Sequence, residues 1–264
     1  MSMGALYRVL AYNTAKESEN KIHDDAVAKR FGFTGGLVPG VDVYAYMIHP
    51  AVEAWGREWL ERGMAEIRLA KPVYDGNEVV VTAFPQGNGL ELKVQSGGLT
   101  CATGLASLPD AAEAALPMGE PPPPPAPEAR PPAGEASLAV GTLLAMRPLA
   151  LTAGFNDDYL GDVRETDPLY ATEGLAHPGM ILRTGNWVLG HNVVLGPWMH
   201  VGSTVRHLGL ARVGDEIGAW ASVTANYERK GHRFVELDVL TFANGARPVA
   251  RIHHVAIYRP RQLG

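Results

Sequence analysis

The sequence predicts an α+β protein built twice from one unit, a long apolar helix cradled by a curved antiparallel sheet. Three observations carry this. The turn Gly35-Gly36-Leu37-Val38-Pro39-Gly40 is answered by Gly174-Leu175-Ala176-His177-Pro178-Gly179. Each turn runs into an apolar stretch of helical period and then into four strand-like runs. The first of those runs also matches: Arg68 lies eight residues before Gly76 and Arg206 eight before Gly214, with Asn77-Glu78 answered by Asp215-Glu216. The period of about 140 residues is far longer than a solenoid repeat, so each copy is a complete unit. Neither a lone helix nor a lone sheet buries its apolar face, and a sheet wrapped around the helix is the economical solution.

Taken in order, residues 5–12 alternate weakly and read as an entry strand. Asp24 or Asp25 is placed to cap a short helix through Arg30, with Gly32 ending it. Pro39-Gly40 opens the long helix, where Val41, Tyr44, Ala45, Ile48, Val52, Trp55 and Trp59 recur at intervals of three or four. Pro50 predicts a kink near Ile48, and Gly63 closes the helix. Strands follow at 65–69, 78–84, 90–94 and 100–108, separated by the turn sequences at 74–77, 86–89 and 96–98. Residues 109–136, with five consecutive prolines at 121–125, read as a semi-rigid polyproline II segment. The expected division is therefore 1–110, a linker at 111–137, and 138–264. In the second unit a helix is expected from Met180 to about Leu195, then strands at 201–210, 216–227, 233–242 and 248–258.

Composition narrows the function. Apolar residues make up 46% and charged residues 19%, as in a packed globular protein, and the formal net charge of −5 disfavours nucleic acid as a partner. One cysteine, Cys101, allows no internal disulfide and fits a reducing cytoplasm. No signal-peptide pattern opens the chain, and no run of ~18 apolar residues suggests a membrane span. No nucleotide-binding glycine motif or nucleophile elbow is present.

The candidate chemistry sits at Ser18-Glu19-Asn20-Lys21-Ile22-His23, just before the glycine turn. A histidine on a loop supplies proton transfer near neutral pH. The helix opening at Gly40 supplies unpaired backbone N–H groups and the positive end of a dipole. These residues resemble the MaoC-like hydratase/dehydratase family, including its (R)-specific enoyl-CoA hydratases, whose signature reads Asp-x-Asn-Pro-x-His before a glycine turn. The resemblance covers both halves and implies a double hot-dog fold acting on an enoyl thioester of coenzyme A, with no other cofactor and no metal. It implies His23 as general acid/base, Asn20 and Ser18 positioning water, and the Gly40 amide catching the thioester oxygen. Asp24, Gly36 and Val38 would border the substrate. Ser18 and Lys21 depart from the family's Asp and Pro, and Glu17 or Glu19 is left to supply the missing charge.

In the second copy Glu165-Thr166-Asp167-Pro168-Leu169-Tyr170 stands at the signature with Tyr170 in the histidine place. The short helix looks deleted, since only eight residues separate Tyr170 from Pro178. The first copy is expected to hold the site, and a site built on His177 and His200 is the alternative. The tip Arg229-Lys230-Gly231-His232-Arg233 could pair with the phosphates of coenzyme A or be a solvated turn. His253 and His254 should face opposite sides of their strand. Pro197-Trp198-Met199-His200 could wall an acyl tunnel or cap the core. Arg68 and Arg206 suggest a shared structural role, bridging the halves. A thioesterase and a non-catalytic acyl-CoA or lipid-binding protein are the other readings, and a homodimer is left open.

Overall fold

A computed structural model describes residues 5–111 and 119–261. Eleven strands form one continuous antiparallel sheet that curls around two central helices. The first half contributes β1 (Ala5–Leu10), a 3-10 turn at Lys21–His23, α1 (Asp25–Arg30), α2 (Gly40–Arg62) and β2 to β5 (Met64–Leu69, Glu78–Gln86, Gly89–Ser96, Leu99–Ser107). The second contributes β6 (Leu143–Ala145), β7 (Leu149–Ala150), α3 (Ala153–Asp162), α4 (Pro168–Glu173), α5 (Pro178–Asn192) and β8 to β11 (Met199–His207, Glu216–Arg229, His232–Ala243, Arg247–Arg259). The sheet order is β1-β3-β4-β5-β2-β8-β11-β10-β9-β6, with β7 also on β9. The two halves join where equivalent strands β2 and β8 pair, Met64 opposite Arg206 and Arg68 opposite Gly202. This is the double hot-dog architecture the sequence predicts.

Alternation fixes which face goes inward. In β3 the buried positions are Val79, Val81 and Ala83, and in β10 Val235, Leu237, Val239, Thr241 and Ala243. The helices are buried almost all round because the sheet wraps them: Val41 through Ile48 of α2 are all buried. α2 and α5 lie close together, and a Cβ added to Gly179 would lie 2.7 Å from that of Ala45. No helix among the described residues is long and apolar enough to cross a membrane.

Four details differ from the sequence reading. The helix runs through Pro50, and its backbone leaves helical geometry at Gly56 instead, with φ 58° and ψ −142°, a conformation that only glycine adopts at low cost. The short helix of the second copy is present as α4, capped by Asp167 with Pro168 in its first turn, and Tyr170 lies inside it. The two glycine turns align one residue away from the textual match. Leu37 bridges Tyr74 and Leu175 bridges Arg212, so Pro39 corresponds to His177 and Gly40 to Pro178. Arg68 lies on the outer surface paired with Glu66, while Arg206 alone reaches across the junction, to Met64 Sδ. Residues 112–118 of the proline-rich segment lie outside the described residues. The following stretch is tied to the second half, with Arg130 donating to the Gly190 carbonyl at 2.6 Å and Pro132 bridging Val194.

Candidate active site

His23 closes the 3-10 turn, and two bonds fix its ring. Nδ1 lies 2.6 Å from the Leu37 carbonyl, which can only accept, so Nδ1 carries the proton and Nε2 presents its lone pair. Burial lowers the imidazole pKa, against the opposing pull of that carbonyl, and keeps the ring neutral at neutral pH. Nε2 lies 3.2 Å from the Asn20 amide nitrogen, a long contact that orients the lone pair.

The other residues singled out in the signature are committed to the loop itself. Asn20 donates to the Trp198 carbonyl at 3.0 Å and accepts from the N–H groups of Trp198 and Ile22, so it fastens the first-half loop to the second half. Ser18 Oγ donates to the Asn20 carbonyl. Glu19, largely exposed at the rim of a cavity, pairs with Arg130, and that bond holds its carboxyl below the usual range. Asp24 caps α1 by accepting from Val27 N–H at 2.9 Å. Gly36 donates to Asp25 Oδ1 at 2.7 Å, and a Cβ there would run into the His23 carbonyl. Val38 is buried and borders the larger of the two cavities beside His23.

Two cavities meet at His23. One, of about 330 Å³, is largely apolar, with Leu37, Val43, Leu69, Met199 and Ile257 among its walls and Lys71 and His232 among its polar lining residues. The other, of about 270 Å³, is lined by Thr14, Ser18, Arg183 and the indoles of Trp187 and Trp198. Asn20, His23, Pro39, Asn186 and Trp198 border both. Gly40 borders the first cavity and Val41 the second, so the opening turn of α2, whose first N–H groups have no intrahelical acceptor, faces this space. Gly40 must lack a side chain because a Cβ would meet Leu69 and lie 2.8 Å from His200 Nδ1.

Arg229, Lys230 and Arg233 border neither cavity. Arg229 and Lys230 are at the β9–β10 hairpin turn, and Arg233 pairs with Glu135 and Glu228. His253 bonds Glu236 on the outer face, while His254 is fully buried against Ser203, so the two rings do face opposite ways.

The second half's helix mouth is plugged. His177 Nδ1 accepts from Gly179 N–H at 3.0 Å, and its Nε2 donates to Glu165 at 3.2 Å. Glu165 also accepts from His49 at 2.8 Å and from the N–H groups of Thr166 and Asp167. Burial pushes the Glu165 carboxyl up, but the bonds from His177 and His49 outweigh it and hold it far below the usual range. Tyr170 packs 4.7 Å from the His177 ring. His177 and His200 therefore do not form a joint site: His177 is spent on its own helix, and His200 borders the first-half cavity.

Two residues of this wall escaped the sequence reading, Arg183 and Asn186 of α5. They lie one turn apart on the same face of α5, but nothing local in the sequence ties them to His23. Arg183 grips the fully buried Asp42 in the first turn of α2 through Nε and Nη2, donates to Thr14, and lies over the Tyr159 ring.

No family model matches the chain, and no curated protein is significantly similar to it in sequence. Solved structures do match in fold. A protein described as a MaoC domain dehydratase from Chloroflexus aurantiacus superposes with a TM-score of 0.62 at 11% identity, covering 100% of this chain and 97% of its own. A double-hotdog protein from Mycobacterium tuberculosis, described as essential for survival during infection, gives 0.64 at 12% identity over 97% and 96% of the two chains. An N-terminal dehydratase from the difficidin assembly line gives 0.57 at 12% identity over 98% and 94%. The class the fold defines is thus the double hot-dog protein. MaoC-like dehydratases are among its structural neighbours.

Proposed function

We propose that this protein is an acyl-thioester hydratase/dehydratase with a single site, formed by the first half and walled by the second. The observation that carries the reading is His23: a neutral imidazole, its tautomer set by Leu37, its Nε2 held only by the long contact to Asn20, bordering two cavities beside an open helix N-terminus.

In the hydration direction, water attacks C3 of the enoyl thioester while His23 Nε2 accepts one of its protons. The thioester oxygen takes up the resulting charge as an enolate, held by the N–H groups opening α2; such a donor is worth about 3 kcal/mol of barrier. The imidazolium returns its proton to C2, giving the 3-hydroxyacyl thioester. One imidazole serves both transfers on one face of the double bond, so no second ionised acid is required for proton balance. Water approaching Nε2 displaces the 3.2 Å contact with Asn20. The chemistry needs no cofactor beyond the thioester carrier.

The apolar cavity suits an acyl chain or the pantetheine arm. The test is hydration of crotonyl-coenzyme A, followed as loss of enoyl-thioester absorbance, by wild type and His23→Ala. Turnover by wild type and a loss of about 10²-fold or more in the variant support the reading. Equal rates remove His23 from the mechanism, and thiol release without hydration would make the protein a thioesterase.

A further inference from the structure

The hydration chemistry leaves one group unassigned. A water presented to C3 has two O–H bonds, and His23 Nε2 accepts only one. The sequence looks for the second anchor at Ser18 or Glu19; both border the second cavity, but Ser18 gives its O–H to the Asn20 carbonyl and Glu19, largely exposed, is paired with Arg130. Asn20 is spent on Trp198, Ile22 and His23. Asp42 is buried and held by Arg183 and Thr14.

Asn186 is different. It borders both cavities together with His23, and its carboxamide forms no hydrogen bond to any described residue, with Oδ1 buried and unpartnered. Buried carboxamides are ordinarily satisfied, so an idle one beside a reactive imidazole points to a ligand atom. With no protein bond to fix it, the amide can turn either its oxygen or its nitrogen to the cavity. Its position is set by the rest of α5: one turn earlier Arg183 clamps that helix onto the mouth of α2 through Asp42.

We propose that Asn186 is the second anchor of the reacting oxygen: its Oδ1 accepts a hydrogen bond from the O–H that water keeps when His23 takes its other proton, and the same contact holds the 3-hydroxyl in the dehydration direction. The assignment rests on the hydratase reading above. It makes the site composite, with the base from one half and the water anchor from the other, and the anchor is a neutral carboxamide with no competing protein bond.

The test uses the full chain, crotonyl-coenzyme A, and the variants Asn186→Leu and Asn186→Asp, with far-ultraviolet dichroism and thermal unfolding to establish folding. Asn186→Leu is expected to lower kcat about ten- to a hundredfold with KM within about twofold. Asn186→Asp, whose carboxylate also accepts from water, is expected to keep at least about a third of wild-type kcat at pH 8 and to lose it on the acid side as that carboxyl protonates. A folded Asn186→Leu with wild-type kcat, a change confined to KM, or an Asn186→Asp as slow as the leucine variant overturns the assignment while leaving His23 in place. An inert wild type overturns the hydratase reading itself and the assignment with it.

Discussion

Arg183 of one half holds Asp42 of the other by a two-pronged bond, Nη2 lying 2.8 Å from Oδ1 and 3.0 Å from Oδ2, with Nε at 3.2 Å. Asp42 has no exposed surface, so its charge depends on this partner, Thr14 and the more distant Tyr159 hydroxyl. Removing one member of a buried pair strands the other. Arg183→Met should therefore cost about 3–5 kcal/mol in urea unfolding, while the double variant Arg183→Met/Asp42→Leu should recover most of it. A single variant within 1 kcal/mol of wild type would mean that Asp42 does not depend on Arg183 for its stability in the core.

The His23 ring sets the pH dependence. Burial lowers its pKa from the ordinary imidazole value of 6.5, so the base is already deprotonated at neutral pH. For the proposed hydration, kcat/KM should be flat through neutrality and fall only on the acid side, with a midpoint below 6.5. A midpoint above that value would show that the charged form is stabilised in the site, the pull of the Leu37 carbonyl then outweighing burial.

Much of this was legible in the text because some backbone requirements are written in residue identity. Gly76 and Gly214 occupy equivalent turns with φ of 71° and 97°, so both copies must spell glycine there, and the duplication shows. His23 was legible through its short chain distance to the glycine turn. Arg183 and Asn186 were not, because their relation to His23 is created by α5 packing beside α2 across some 160 residues of chain, and nothing local encodes it. The textual alignment of the turns slipped by one residue for a related reason. Identical Pro-Gly pairs outweighed the strand register that fixes Leu37 opposite Tyr74. The kink went to Gly56 because proline costs a helix one donor, whereas positive φ takes the backbone out of the helix altogether.

Gly36 should tolerate no side chain. An added Cβ would fall on the carbonyl oxygen of His23 and within 3.2 Å of Asp25 Oδ1, and the first of these is backbone that cannot rotate aside. Gly36→Ala should therefore lower stability by about 1–3 kcal/mol and displace the turn that carries His23. The expected signature is a lowered thermal midpoint together with reduced kcat. Unchanged stability with reduced activity would instead place Gly36 against the substrate.

Acid should unfold this protein from within. His200 and His207 are buried, and burial drops both to about 4, while His254, fully buried beside His200, is driven well below its ordinary value. In the unfolded chain each takes its proton near pH 6.5. Between those limits the unfolded state binds more protons, so stability falls as pH falls, by an amount on the order of 3 kcal/mol for each of His200 and His207. His49 acts in the opposite sense: bonding to Glu165 outweighs burial and raises its pKa, so its contribution is present in acid and lost as pH rises. One such group cannot offset three, and a domain with a margin of about 5–15 kcal/mol should reach its urea-free midpoint between about pH 4 and 5.5. His207 offers the clean dissection, since its Nε2 has no partner and its ring packs on Trp59 at 4.8 Å, away from His23. His207→Phe should keep the packing, remove one titration, and shift the acid midpoint to lower pH. Coincident acid transitions for variant and wild type would show that His207 is not among the groups driving the loss.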